Sequence, residues 1–122
     1  MLNRKKTLII GASENPERYA NMAFHKLTQY GHKVEMIANK DGIINNIPIQ
    51  KGTPHFDDID TITLYLNPKN QEAYYNYILS LNPKRIIFNP GTENPALVKM
   101  AENNGIQTLE ACTLVLLSIG KF

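Results

Sequence analysis

The chain has a single cysteine, Cys112, among its 122 residues. An internal disulfide is therefore excluded, and a reducing cytosol is the expected compartment. His25, His32 and His55 are scattered, with no second cysteine beside them, so no zinc or iron site is expected. No stretch approaches the ~20 apolar residues that cross a bilayer. The opening MLNRKKT is not followed by the apolar segment and cleavage site of a secretory signal. A net charge of +2 is too small to point to a nucleic-acid partner. The longest basic cluster, Arg4, Lys5 and Lys6, reads as a solvated lead into the first apolar run. There is no repeat, linker or low-complexity segment. The length suits one ordinary domain, and 43% hydrophobic residues are enough for a core without disulfides or metal.

What is present is an alternation. The runs TLIIGA (7–12), KVEMIA (33–38), TITLYL (61–66), RIIFN (85–89) and IQTLEA (106–111) are each of strand length. Several are almost continuously apolar, as strands covered on both faces are. Helical patterns lie between them. Tyr19, Met22, Ala23, Leu27 and Tyr30 form one stripe, ended by Gly31. Tyr74, Tyr77, Ile78 and Leu81 form a second, and Leu97, Met100 and Ala101 a third, with Gly105 as a left-handed stop. The last segment, CTLVLLSIGKF, reads as a short apolar helix on the sheet. The alternation predicts an α/β fold, a Rossmann-like three-layer α/β/α sandwich with a mainly parallel sheet of five or six strands. In a Rossmann-like order 7–12 is central, with 33–38 on one side and 61–66, 85–89 and 106–111 outward on the other. Residues 39–60 are the least legible, and their isoleucines are expected to add a short edge strand.

Five of the seven prolines follow an asparagine: Pro16, Pro68, Pro83, Pro90 and Pro95. Asn67-Pro68 and Asn94-Pro95 have the form of helix starts, with asparagine as the cap and proline at the first helical position. In such sheets ligands sit beyond the carboxyl ends of the strands, where the strand order reverses. Here that point lies between 7–12 and 61–66, bordered by the loops 11–19, 67–69 and 89–95. A loop with Gly11 and Ser13 ahead of a helix can present amides to a phosphate. The dinucleotide pattern G-x-G-x-x-G is absent, and a lone glycine is a weak signal. After the second strand come Asn39 and Lys40, where an NAD site wants an acidic residue. Lysine suits a phosphate on the ribose, as in coenzyme A or NADP.

Taken together, TLIIGASENPERYANMA, TITLYLNPK, PKRIIFNPGTENP and EACTLVLLSIGKF resemble the small single-domain CoA-binding proteins. The fold of that family is similar to the CoA-binding domain of the succinyl-CoA synthetase alpha subunit. The resemblance covers nearly the whole chain, least so 39–60. It implies that Gly11, Ala12 and Ser13 line the phosphate side of a CoA site, with Arg18 and Tyr19 close by. Asn39 and Lys40 would lie near the adenosine phosphate. Asn67 and Pro68, with Asn89, Pro90, Gly91 and Thr92, would border the rest of the ligand. Asn39-Lys40 stands where the family has an Asn-Pro step. The larger synthetases carry a second domain with a phosphohistidine, whose motif none of the three histidines here matches, so acyl-CoA ligase chemistry by this chain alone is not expected.

Candidates for chemistry are few. Cys112, at the expected start of the last helix, could meet the ligand's thiol, or serve simply as a small buried hydrophobe. Glu93 is expected to cap a helix or bond its own loop, and neither it nor Glu110 has a partner for general acid/base work. Asp57, Asp58 and Asp60 read as a solvated connection. The sequence thus points to a non-catalytic module for CoA or an acyl-CoA. An NADP-dependent reductase, or a subunit completing an acyl-CoA ligase in trans, is the alternative. A second copy of the chain or an ATP-grasp protein are the partners to test.

Overall fold

A computed structural model describes residues 4–122, so the first three residues of MLNRKKT lie outside the described residues. The described residues form seven strands and five α-helices, with a 3-10 turn (Glu72–Tyr74) between α2 and α3: β1 (Thr7–Ile10), α1 (Tyr19–Gln29), β2 (Val34–Ile37), β3 (Gly42–Ile44), β4 (Ile47–Gln50), β5 (Thr61–Leu64), α2 (Pro68–Gln71), α3 (Tyr75–Leu81), β6 (Arg85–Phe88), α4 (Pro95–Asn103), β7 (Gln107–Glu110) and α5 (Thr113–Ser118). One sheet holds all seven strands in the order β3-β4-β2-β1-β5-β6-β7. Every neighbouring pair is parallel except β3–β4. The expected order of the five apolar runs holds, and strand order reverses between β1 and β5.

The middle of the sheet is dry on both faces. All four residues of β1, β5 and β6 are buried, which is why these runs lack an alternating pattern. One face packs Leu8, Ile10, Leu64 and Phe88 against Ile78, Leu97 and Ala101 of α3 and α4. The other packs Ile9 and Met36 against α1 and Leu117 of α5. The result is three layers.

Two expectations change. Residues 39–60 contain a β-hairpin, β3–β4, and not a single edge strand, which brings the sheet to seven strands. Asn45 and Asn46 turn it with φ of 48° and 67°, the two positive values that a tight two-residue hairpin turn requires. Pro48 faces Ile43 in β3, and β4's pairing with β2 begins one residue later, at Ile49. The buried stripe of α1 is also displaced: it is Ala20, Ala23, Phe24 and Leu27, with Asn21 beside it. Tyr19, Met22 and Tyr30, expected to face the core, are exposed. The spacing i, i+3, i+4, i+7 is met by Ala20, Ala23, Phe24 and Leu27, and Tyr19, Met22 and Tyr30 lie off that face. In the third stripe, Leu97 and Ala101 are buried while Met100 is exposed.

The five Asn-Pro steps do different work. Asn67 and Asn94 are helix caps as expected, accepting from the amides of Asn70 at 2.9 Å and Leu97 at 3.3 Å. Asn15 accepts from the amide of Glu17 at 3.0 Å and shapes the loop before α1. Asn82 ends α3 in the left-handed conformation, at the end of the sheet away from the other four. Asn89 is a buried anchor, described below.

The basic cluster at the start of the chain is only partly solvated. Arg4 is exposed, but Lys5 donates to the carbonyl of Phe122 and Lys6 to that of Asp57. Asp57 and Asp58 are exposed, whereas Asp60 is half-buried and accepts from the Thr61 hydroxyl at 2.7 Å. No described helix is long and apolar enough to cross a membrane.

Candidate functional site

β1 stops at Ile10 and β5 at Leu64, so the ends of both expected strands peel away from the ladder and become walls of a cleft. Gly11 has φ +94°, and a Cβ there would lie 3.0 Å from the carbonyl carbon of Tyr65. Only glycine lets the two peeled segments come so close. The amides of Gly11 and Ala12 both donate to the carbonyl of Ile37, at 3.0 and 3.1 Å. These two amides, expected to face a phosphate, are therefore spent on pinning the loop to β2.

The next amides are free. Those of Ser13 and Glu14, and those of Tyr19 and Ala20 at the start of α1, have no partner among the described residues. Arg18 is the N-cap residue of α1 and contributes no side-chain cap. An uncapped helix start with a guanidinium on it is a favourable place for an anion. Asn21, buried in α1, ties the loop down by donating to the carbonyl of Ser13 at 3.0 Å. Glu14 ties it sideways by accepting from the amide of Ile43 at 3.0 Å.

The cleft has a volume of about 490 Å³. From the loop after β1 it is lined by Gly11, Ala12, Ser13, Arg18 and Tyr19, and from the end of β2 by Asn39. The loops after β5 and β6 add Asn67, Pro90, Gly91 and Thr92. Ala20, Ala38, Tyr65 and Leu66 also line it and were not singled out from the sequence. Pro68 is not in the wall; it opens α2. No Asp, Glu or His lines the cleft, and Glu93 turns back on its own loop, accepting from the Gly91 amide at 2.9 Å.

Two smaller chambers adjoin the cleft. One, of about 230 Å³, contains Lys40 together with Glu14, Asn15 and Asp41 and shares Ala12, Ser13, Ala38 and Asn39 with the cleft. The other, of about 240 Å³, contains Asn89 and Cys112 and shares Tyr19, Tyr65 and Pro90. Sharing these walls, the three lie in a row, as a trough, across the carboxyl ends of the strands.

Asn89 is 3% exposed. Its amide nitrogen donates to the Thr63 hydroxyl at 2.7 Å and the Leu64 carbonyl at 2.9 Å, and its oxygen accepts from the Thr113 amide at 2.9 Å. It lines the chamber with Cys112, and its amide also fixes the start of α5 to β5 and so positions Cys112, the half-buried N-cap residue of that helix. Thr63 and Thr113 share a hydrogen bond of 2.8 Å. The Tyr65 hydroxyl lies beside that pair, and burial pushes its pKa up to about 12. It stays protonated at physiological pH and can donate a hydrogen bond. Thr92 is likewise inward, its hydroxyl donating to the Asn89 carbonyl at 2.8 Å. Among the described residues no group of three or more His, Cys, Asp and Glu is placed to hold a metal ion.

Comparison with solved structures gives close likenesses. An uncharacterized protein of known crystal structure is 48% identical, with a TM-score of 0.96 over 98% of this chain and 99% of that one. A hypothetical protein from Pyrococcus horikoshii OT3 is 25% identical, with a TM-score of 0.82 over 91% of this chain and 80% of that one. A conserved hypothetical protein from Pyrococcus furiosus, 23% identical with a TM-score of 0.79 over 91% of this chain and 97% of that one, shares the fold. No curated protein matches the chain. The model of the CoA binding domain matches residues 5–118. With the sheet order, the glycine-pinned loop and this match over nearly its full length, the chain belongs to the CoA-binding domain family.

Proposed function

We propose that the trough holds coenzyme A or an acyl-CoA, and that the chain works as a binding or regulatory module without chemistry of its own. The observation that carries this reading is the row of three chambers that share walls past an uncapped helix start. A diphosphate suits the free amides of Ser13, Glu14, Tyr19 and Ala20 with Arg18 beside them. Lys40, in the chamber on the β2 side, suits the phosphate on the adenosine ribose. Asn67, Pro90, Gly91 and Thr92 then border the pantetheine arm, with Cys112 near its thiol. A binding role fits a central cleft without an Asp, Glu or His in its wall; the trough's carboxylates, Glu14 and Asp41, lie in the Lys40 chamber. A cytosol, where thiols stay reduced, is the fitting compartment.

Lys40 would also suit NADP, and thermal unfolding separates the two. A ligand that binds only the folded chain stabilises it by about 2.7 kcal/mol at a hundredfold excess over Kd. That is a rise of about 10 °C for a domain of this size. CoA is expected to give such a rise and NADPH none. Lys40→Ala should weaken CoA about fivefold and leave dephospho-CoA unchanged, the loss of one exposed charge-assisted contact. Equal losses for both ligands would remove Lys40 from the ribose phosphate. A role in trans in an acyl-CoA ligase would appear as a stable complex with an ATP-grasp subunit.

A further inference from the structure

The chamber at the far end from Lys40 has its own character. Its walls are Tyr19, Tyr65, Asn89, Pro90, Cys112 and Leu114, and it shares no residue with the Lys40 chamber. A long ligand anchored at Lys40 and laid over the start of α1 therefore brings its other end here.

The walls offer little to a polar group. Pro90, Leu114 and the tyrosine rings are apolar surface, and the Asn89 amide is fully engaged inside the protein. The Tyr65 hydroxyl is the donor next to this space, near Thr63, Thr113 and Cys112. A mostly apolar chamber with a tyrosine hydroxyl in its wall matches a carbonyl followed by a short hydrocarbon, and matches a bare thiol poorly. At about 30 Å³ for a water, and a similar volume for a methylene, 240 Å³ accommodates a handful of carbons and not a long fatty chain.

Resting on the reading of the trough as a CoA site, we infer that this chamber receives the acyl group of a short-chain acyl-CoA, with the Tyr65 hydroxyl donating to the thioester carbonyl. The ligand class is then thioesters of about two to six carbons. Tyr65 is the positioning donor and Leu114 the wall that limits chain length.

Calorimetric titration of the unmodified protein with CoA and with acetyl-, butyryl-, hexanoyl- and palmitoyl-CoA tests this. Each methylene that enters should tighten binding by up to about fourfold. Butyryl-CoA is expected to bind at least about fivefold more tightly than CoA, and palmitoyl-CoA to fall back. Leu114→Trp, which fills the chamber, should bring the ratio of butyryl-CoA to CoA affinity close to one. A flat series from CoA to hexanoyl-CoA, or a rise continuing to palmitoyl-CoA, overturns the acyl chamber while leaving CoA binding intact. Binding of none of the five overturns both readings. The series needs no variant, so poor folding of Leu114→Trp would not rescue the proposal.

Discussion

Gly11→Ala is expected to cost about 3 kcal/mol of folding stability, about 12 °C in melting temperature for a domain of this size. Two effects add. A side chain held at φ +94° is strained by about 1–2 kcal/mol. The new methyl would also press on the Tyr65 carbonyl carbon and Leu66 Cδ2, each 3.0 Å away, and overpacking of this kind costs about 1–3 kcal/mol. The Tyr65 backbone is held by its amide's bond to the Ile10 carbonyl, 2.9 Å, so it cannot easily retreat. Gly91→Ala separates the terms. Gly91 has nearly the same φ, +92°, with nothing within 4 Å of the added carbon, so it should lose only about 1–2 kcal/mol. Thermal unfolding of the two variants by circular dichroism measures the difference. Equal losses would mean that the close approach of the loops after β1 and β5 does not constrain Gly11.

Asn89→Leu has the next largest expected effect. Leucine keeps the heavy-atom count and the branching at Cγ but is bulkier, so some overpacking adds to the loss of hydrogen bonds. It would strand the Thr113 amide and the Leu64 carbonyl inside the protein. Each stranded group costs about 1–3 kcal/mol, so the loss should be about 2–5 kcal/mol in denaturant unfolding. Because Asn89 helps to join the start of α5 to β5 and β6, beside the Thr63–Thr113 bond, the far chamber should loosen as well, and Cys112 should react faster with a thiol reagent. A variant that lost less than about 1 kcal/mol, or left Cys112 reactivity unchanged, would show that the Thr63–Thr113 bond and apolar contacts hold α5 without Asn89.

The central strands were legible in the sequence because their burial on both faces leaves an unbroken apolar run, and their order follows from right-handed crossovers. Asn67-Pro68 and Asn94-Pro95 were legible as helix starts because cap and proline together leave little alternative. The β3–β4 hairpin was not, because Pro48 breaks the strand pattern. The signal that could have found it is the Asn45-Asn46 pair between isoleucines. The face of α1 was misjudged because the stripe was built on Tyr19, Met22 and Tyr30 and passed over Ala20 and Phe24, which with Ala23 and Leu27 make the buried face.

At the candidate site, the three loops and the cleft between them were legible from the fold rule for parallel sheets. Which atoms point where was not. The amides of Gly11 and Ala12 bind Ile37, Asn89 is consumed by α5, and Tyr65 and Leu66 line the cleft because β5 ends two residues before its apolar run does. These outcomes depend on where a strand leaves its ladder, which hydrophobic pattern alone does not mark.

The central claim is that CoA lies across the strand ends with its phosphates on the start of α1. Amide chemical shifts of isotope-labelled protein during a CoA titration address it directly. The account predicts the largest changes at Ser13, Glu14, Tyr19 and Ala20, with smaller ones at Lys40 and Gly91. Changes confined to the opposite end of the sheet, around Lys5, His32 and Phe122, or none at millimolar CoA, would contradict it.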